Sequence, residues 1–226
     1  MRRILEVMTG PPKDPEQARA AMVETQLRKH GVTDERVLAA MGAIPREAFV
    51  PDASRRDAYA DGALPIESGQ TISQPLMVAK MTERLEVKPG DRILEIGTGS
   101  GYQAAVLSRI VKEVVSVERY NTLADAARVR LKTLGYDNVE VITDDGIRGA
   151  PDKAPFDRIM VTAATADIPG ALVEQLVDGG MMMLPLGPQD GTQYLARVRK
   201  RAEVVSREQL IAVRFVPLLP GKAREL

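Results

Sequence analysis

Apolar positions in the second half of the chain follow two alternating rhythms. Short runs rich in valine, isoleucine and methionine have the length of buried strands: residues 93–96, 114–118, 139–143, 156–162 and 181–186. Stretches between them have apolar positions recurring every three or four residues, as in helices: residues 103–111, 121–134 and 168–177. Strands separated by helices predict an α/β fold with a doubly wound parallel sheet. Runs at 193–200 and 209–218 have no helix between them and predict an antiparallel pair of strands added at the C-terminus.

The first 90 residues have helical and loop patterns only. Asp14 followed by proline predicts a helix that begins there and reaches about residue 29. Thr33 is expected to cap a second short helix, and Ser73 a third whose apolar positions end at Leu85.

These patterns divide the chain into three parts. Residues 1–13 lack periodicity and are expected to form a loose extension. Residues 14–85 form an N-terminal helical part, and residues 86–226 form the α/β part with its C-terminal strands.

The amino-acid composition argues against several kinds of partner, metal site and cellular location. The 226 residues contain 31 Lys and Arg against 31 Asp and Glu, so no basic field favours a nucleic-acid partner. The absence of cysteine and the presence of one histidine argue against disulfides, thiolate zinc sites and other metal centres. No apolar run has membrane-spanning length, and the N-terminal one is too short for a signal peptide. We expect a cytoplasmic monomer without metal, membrane or nucleic-acid partners.

The strand at residues 93–96 leads directly into three glycines at alternate positions, within residues 97–101, and then into a helix. Such a turn lets the backbone approach a ligand closely. A dinucleotide-binding turn would have its third glycine where this chain has Tyr102, so NAD and FAD fit poorly. Glu95, two residues before the first glycine, and the G-x-G-x-G spacing resemble the first motif of S-adenosylmethionine-dependent methyltransferases.

Two acids follow the next two predicted strands. Glu118 lies where doubly wound folds place an acid that accepts hydrogen bonds from ribose hydroxyls. Asp145 could accept a hydrogen bond from an adenine amino group beside Gly146, and ordinary turn chemistry explains this pair equally well. Because the carboxyl ends of parallel strands share one edge of a sheet, these features are expected to form one site with the glycine turn.

Ser73 has two compatible interpretations. Serine is a preferred helix cap, and Ser73 precedes a helical pattern by two residues. Its hydroxyl could also orient an incoming carboxylate beside the cofactor. A carboxylate with a solution pKa of about 4 is ionised at neutral pH and needs no general base, so a chain with one histidine can still use it as a methyl acceptor.

With these motifs the chain resembles the protein-L-isoaspartate O-methyltransferases from residue 17 to residue 221. The resemblance is carried by GQTISQPLMVAKM, LEVKPGDRILEIGTGSGYQAAVLSRIV, PFDRIMVTAATADIPGALVEQLVDGG and VRFVPLLPG. It implies a Rossmann-like class I methyltransferase that transfers a methyl group from S-adenosyl-L-methionine to the α-carboxylate of L-isoaspartyl residues in damaged proteins and peptides. S-adenosyl-L-homocysteine is the other product, and the methyl ester goes on to a succinimide, which initiates repair.

The resemblance also implies roles for individual residues. Ser73 matches the catalytic serine. The peptide substrate would contact Ser73 and a stretch after the fourth strand: Val161, Thr162, Ala163 and Ala164. The cofactor would contact residues from four segments: Gln70, Thr71, Ile72, Glu95, Gly97, Thr98, Gly99, Ser100, Gly101, Glu118, Arg119, Asp145 and Gly146. The family usually has glycine where this chain has Asp144, which could alter the adenine loop.

Two other functions stay open from the sequence. One is methylation of another acceptor, such as RNA or a small metabolite. The balanced charge and the 4% aromatic content argue against RNA, and residues 70–75 argue against a small metabolite. The other is a catalytically silent binding or scaffold protein, against which the intact glycine turn, Glu118 and Ser73 count.

Overall fold

The computed structural model describes residues 14–224, so the extension expected at residues 1–13 lies outside the described residues. The helices are α1 (Pro15–Met22), α2 (Glu35–Ala43), α3 (Pro75–Arg84), α4 (Tyr102–Ser108), α5 (Asn121–Thr133) and α6 (Gly170–Glu174). The strands are β1 (Leu64–Pro65), β2 (Thr71–Ile72), β3 (Arg92–Ile96), β4 (Glu113–Glu118), β5 (Val139–Thr143), β6 (Phe156–Val161), β7 (Leu176–Leu186), β8 (Gln193–Arg201) and β9 (Val204–Val213). A π-helical turn, Val23–Leu27, and a 3-10 turn, Arg28–His30, continue α1. Further 3-10 helices are Arg46–Phe49, Asp52–Asp57 and Pro151–Lys153.

Seven strands form one sheet in the order β5-β4-β3-β6-β7-β8-β9. Strands β3 to β7 run parallel, whereas β8 and β9 are antiparallel to their neighbours. The strand order reverses between β3 and β6, which is the point where a doubly wound sheet opens a crevice at the carboxyl ends of its strands. The doubly wound fold with a C-terminal antiparallel pair is confirmed.

The two faces of the sheet are covered by different helices. Alternate residues of β3 point to opposite faces, so Ile93 packs with α4, α5 and the N-terminal helices, while Leu94 and Ile96 pack with α6. The first cluster joins Met41 and Phe49 of the N-terminal part to residues of the sheet. The predicted parts at residues 14–85 and 86–226 therefore share a core, and the boundary between them stays a prediction.

Two predicted helix caps are wrong by one residue. Asp34 caps α2, because its carboxylate accepts a hydrogen bond from the backbone N–H of Arg36 at 2.9 Å. The Thr33 N–H and hydroxyl donate instead to Glu83 of α3, at 2.6 and 3.2 Å. Gln74 precedes α3, and no side chain caps that helix. Ser73 is therefore not a helix cap.

Two predicted element boundaries are also wrong. The predicted helix at residues 168–177 ends at Glu174, since Leu176 already pairs with Phe156 in the sheet. The apolar spacing of residues 168–177 fits either a helix or a strand, and pairing with β6 places Leu176 in a strand. The predicted strand at residues 209–218 is Val204–Val213, because the β8–β9 hairpin turns immediately after Arg201 and residues 214–218 leave the sheet.

Candidate active site

The glycine turn after β3 packs tightly against Thr162, which follows β6. Gly97 has φ +94°, a conformation that residues with a side chain rarely adopt, and a Cβ there would lie 2.4 Å from Thr162 Oγ1. The Thr162 hydroxyl lies 2.9 Å from the carbonyl oxygen of Ile96 and 2.7 Å from that of Gly97, and it donates to these carbonyls. Glycine is therefore required where the chain turns from β3 towards α4.

The carboxylate of Glu118, at the end of β4, is held by two backbone N–H groups. One oxygen accepts from Gly99 at 2.9 Å and the other from Tyr120 at 3.0 Å. The side chain is buried, yet each oxygen has a second lone pair, because a carboxylate offers about four acceptor sites. Glu118 is thus fixed in orientation and retains the capacity to accept hydrogen bonds from a diol.

Glu95 belongs to a buried polar chain beneath the turn. The Ser116 hydroxyl donates to its carboxyl group, and Ser116 Oγ lies 2.6 Å from Thr98 Oγ1. Burial raises the pKa of Glu95 to about 8; the Ser116 hydrogen bond opposes this rise and the Glu118 carboxylate adds to it. Glu95 is therefore mostly protonated at neutral pH and supports the turn from below.

Two adjoining cavities open at the carboxyl ends of the central strands. The larger, about 270 Å³, lies beside the glycine turn, Glu118 and Gly146. The smaller, about 50 Å³, lies beside Ser73 and Tyr102. Four residues line both cavities: Thr71, Gly97, Gly99 and Thr162. The two cavities are therefore adjacent and share part of their walls.

The backbone of Ser73 is held by a buried cation. Arg46 is fully buried and donates to the carbonyl oxygens of Ala58 at 2.7 Å and Ser73 at 2.8 Å. Its guanidinium also lies over the Tyr102 ring, 4.7 Å from the centroid. Arg46 thus connects the loop that contains Ser73 to the first residue of α4.

Comparison with known proteins decides the family. The sequence model of the protein-L-isoaspartate(D-aspartate) O-methyltransferase (PCMT) family matches residues 17–223. The chain belongs to this family. The protein-L-isoaspartate O-methyltransferase of Nitrobacter winogradskyi is 55% identical over 216 residues, covering 96% of this chain and 100% of that protein. The one from Koribacter versatilis is 52% identical, covering 89% and 90%.

Solved structures of PCMT proteins have the same fold. One protein-L-isoaspartate O-methyltransferase superposes with a TM-score of 0.79 at 30% identity, over 90% of this chain and 65% of that chain. A Plasmodium falciparum relative, solved in complex with S-adenosyl-L-homocysteine, gives 0.78 at 26% identity, over 89% and 98%.

Most of the predicted PCMT site residues lie around the two cavities. The larger is lined by Gln70, Thr71, Gly97, Gly99, Glu118, Arg119, Gly146, Thr162 and Ala163. The smaller adds Ile72, Ser73, Thr98 and Ser100. The fold thus brings together residues from five separate segments of the chain.

Five predicted site residues line neither cavity. Glu95 and Val161 are fully buried strand residues, and Gly101 packs at the start of α4 against Leu131. The Asp145 carboxylate accepts a hydrogen bond from the Ile147 N–H at 2.9 Å within its own turn. Ala164 uses its backbone to hold the C-terminal segment. The roles predicted for all the site residues stay predictions.

Residues 214–224, here called the C-terminal strap, contribute lining that the sequence reasoning missed. Its residues 216–219 line the larger cavity, as does Tyr120. Ala164 exchanges backbone hydrogen bonds of 2.8 Å with Val216 and Leu218, and Ala223 donates to the Arg119 carbonyl at 2.9 Å. The only sequence signal for this role was the resemblance of VRFVPLLPG to PCMT proteins, because the apolar pattern of this segment predicted a strand.

Asp144 ties the predicted adenine loop to the strap. One carboxylate oxygen accepts from the Asp145 N–H at 2.7 Å, and the other lies 3.3 Å from the Lys222 ammonium group. The backbone hydrogen bond, with help from Lys222, holds the pKa of Asp144 below its usual value. Asp144 therefore links the predicted adenine loop to the strap.

Neither a metal centre nor a membrane span is found between residues 14 and 224. No group of three His, Cys, Asp or Glu side chains in that range is arranged to hold a metal ion. No helix in that range is long and apolar enough to cross a bilayer.

Proposed function

We propose that Ser73 and the junction of the two cavities carry out methyl transfer from S-adenosyl-L-methionine to the α-carboxylate of L-isoaspartyl residues. The observation that carries this proposal is the shared lining of the cavities by Thr71, Gly97, Gly99 and Thr162. A donor beside Glu118 and a carboxylate beside Ser73 would therefore lie against the same four residues. Family membership supplies the reaction and its repair outcome, a succinimide formed from the methyl ester.

The larger cavity fits the methyl donor. Glu118 has lone pairs for ribose hydroxyls, and glycine at position 97 lets the turn pack directly against Thr162 in the cavity wall. A Cβ at Gly146 would lie 2.6 Å from Ile96 Cγ2, so glycine keeps this wall thin where adenine would lie. When bound, S-adenosyl-L-methionine supplies an electrophilic methyl group on a sulfonium ion.

Ser73 positions the acceptor. Its side chain caps no helix, so the hydroxyl is free to donate a hydrogen bond to the substrate carboxylate. The carboxylate has an ordinary pKa of about 4 and is ionised at neutral pH, so no residue has to remove a proton. Alignment in a closed site is then the main contribution of the protein and can be worth about 7 kcal/mol.

A matched pair of peptides tests this function. The full chain is incubated with S-adenosyl-L-methionine labelled in its methyl group and with an isoaspartyl peptide or its aspartyl isomer. We expect label transfer to the isoaspartyl peptide and base-labile methyl ester formation there. Transfer to neither peptide, or equal transfer to both, would contradict the proposal. Glu118→Ala serves as the control that lacks the proposed ribose acceptor.

We also propose that the chain acts as a cytoplasmic monomer on isoaspartyl proteins and peptides, without metal or nucleic acid. The balanced charge supports the absence of a nucleic-acid partner. Light scattering should give the mass of one chain, and chelators should leave the rate unchanged.

A further inference from the structure

Thr162 occupies a special place between the two cavities. Of the four residues that line both, only Thr71 and Thr162 have side chains beyond Cα. These two threonines therefore belong to the boundary that the two cavities share.

The Thr162 hydroxyl donates its proton to a backbone carbonyl, and its oxygen still has lone pairs that can accept a hydrogen bond. A hydroxyl has one proton and two lone pairs, and this proton is donated to the Ile96 or Gly97 carbonyl oxygen, at 2.9 and 2.7 Å. No group among residues 14–224 donates a hydrogen bond to Thr162 Oγ1. Thr162 Oγ1 thus lies beside two carbonyl oxygens and can accept a further hydrogen bond.

Resting on the function proposed above, we propose that Thr162 Oγ1 accepts weak C–H hydrogen bonds from the donor methyl group. The methyl group of a sulfonium is polarised positively, so its hydrogens are better donors than those of an ordinary alkyl group. The neutral thioether product has neither this methyl group nor the positive charge. Thr162 therefore favours the donor over the product and directs the methyl group towards the Ser73 cavity.

Binding measurements without any peptide acceptor test this role. Thr162→Val keeps the shape and removes the oxygen, whereas Thr162→Ser keeps the oxygen. Calorimetric titrations compare S-adenosyl-L-methionine with S-adenosyl-L-homocysteine. In Thr162→Val we expect the donor to lose about two- to fivefold more affinity than the product, the worth of such weak bonds. In Thr162→Ser the affinity ratio should stay at the wild-type value.

Equal loss of both ligands in Thr162→Val would overturn the proposal, because Thr162 would then only hold the Gly97 turn. If Thr162→Ser changed the ratio of donor affinity to product affinity as much as Thr162→Val does, the proposal would also be overturned. If Thr162→Val does not fold, the unaltered protein provides the readout: the proton resonance of bound methyl-labelled donor should move downfield from its free position, and no downfield movement contradicts the role.

The two proposals fail separately. Methyl transfer to the isoaspartyl peptide with an unchanged affinity ratio would overturn only the role of Thr162. A changed ratio without peptide methylation would overturn only the proposed function.

Discussion

The guanidinium of Arg46 donates a hydrogen bond of 2.8 Å to the backbone carbonyl of Ser73. Arg46 has no exposed surface, and no carboxylate in the described part of the chain forms an ion pair with it. Burial lowers its pKa, yet a guanidinium stays protonated at neutral pH. The positively charged guanidinium therefore contacts the backbone of Ser73, whose side chain is proposed to bind the anionic acceptor. The same hydrogen bond fixes the position of Ser73.

Arg46→Lys should slow methyl transfer and lower stability. Lysine has no planar fork, so it cannot donate to Ala58 and Ser73 in the same geometry. We expect the turnover rate to fall about tenfold and the free energy of unfolding to fall by about 1–3 kcal/mol. Peptide kinetics and urea unfolding measure these changes. Arg55→Lys, at an exposed pair with Asp52, is the control, and an unaltered turnover rate in Arg46→Lys would exclude the positioning role.

Ser73→Ala should lose rate but keep the cofactor. The side chain caps no helix, so its removal should change stability by less than about 0.5 kcal/mol. Loss of one positioning hydrogen bond should lower the peptide turnover rate about tenfold or more. Calorimetry with S-adenosyl-L-homocysteine should show wild-type affinity. Ser206→Ala on the exposed strand β9 is the matched control, and an unchanged rate in Ser73→Ala would rule out the role.

Glu118→Gln should weaken cofactor binding. Glutamine keeps one acceptor oxygen, so either the Gly99 or the Tyr120 N–H loses its partner and the ribose loses charge-assisted hydrogen bonds. We expect the affinity for S-adenosyl-L-homocysteine to fall by about 1.5–3 kcal/mol, which is about ten- to a hundredfold. Calorimetric titration measures the change, with Glu203→Gln in the exposed β8–β9 turn as control. Wild-type affinity would show that Glu118 does not contact the ligand.

Glu95 should make stability fall as pH rises. Its pKa is about 8 in the folded chain and near 4.5 when exposed, so folding takes up a proton between these values. The contribution is complete below pH 4.5 and is lost as pH rises through about 8. The slope is at most about 1.4 kcal/mol per pH unit for one group. Urea unfolding should therefore show wild type losing stability relative to Glu95→Gln from pH 5 to pH 8, and parallel profiles would refute the elevated pKa.

Asp144→Gly should loosen the strap over the larger cavity. The change removes the ion pair with Lys222, which is partly exposed, so stability should fall by less than about 1 kcal/mol. Dissociation of S-adenosyl-L-homocysteine should become faster, and stopped-flow displacement measures its rate. Lys222→Met should produce the same acceleration, and added salt should reduce the difference from wild type. An unchanged dissociation rate in Lys222→Met would argue against the link through this ion pair, because Asp144→Gly also removes the acceptor of the Asp145 N–H.

Local sequence patterns predicted most of the helices and strands, but they did not predict where several of them begin or end. Asp14 caps α1 as predicted, through a hydrogen bond of 2.9 Å from the Gln17 N–H. The end of α6 was not predictable, because Leu172 and Leu176 fit one helical face and only pairing with Phe156 places Leu176 in a strand. Strand β9 was missed in part because residues 204–209 are exposed, and two valines followed by four polar residues leave no alternation to detect.

Sequence alone determined the doubly wound sheet and the glycine turn, because strand and helix periods and the G-x-G-x-G spacing are local properties of the chain. The resemblance to the family was carried by longer matching segments, among them residues 70–75. Tertiary structure decided which predicted residues meet. It buried Glu95 beneath the turn, brought the C-terminal strap across the larger cavity and set Thr162 between the two cavities. The last two relationships join residues far apart in the chain, and all three depend on strand order and packing, for which no single stretch of sequence contains a signal.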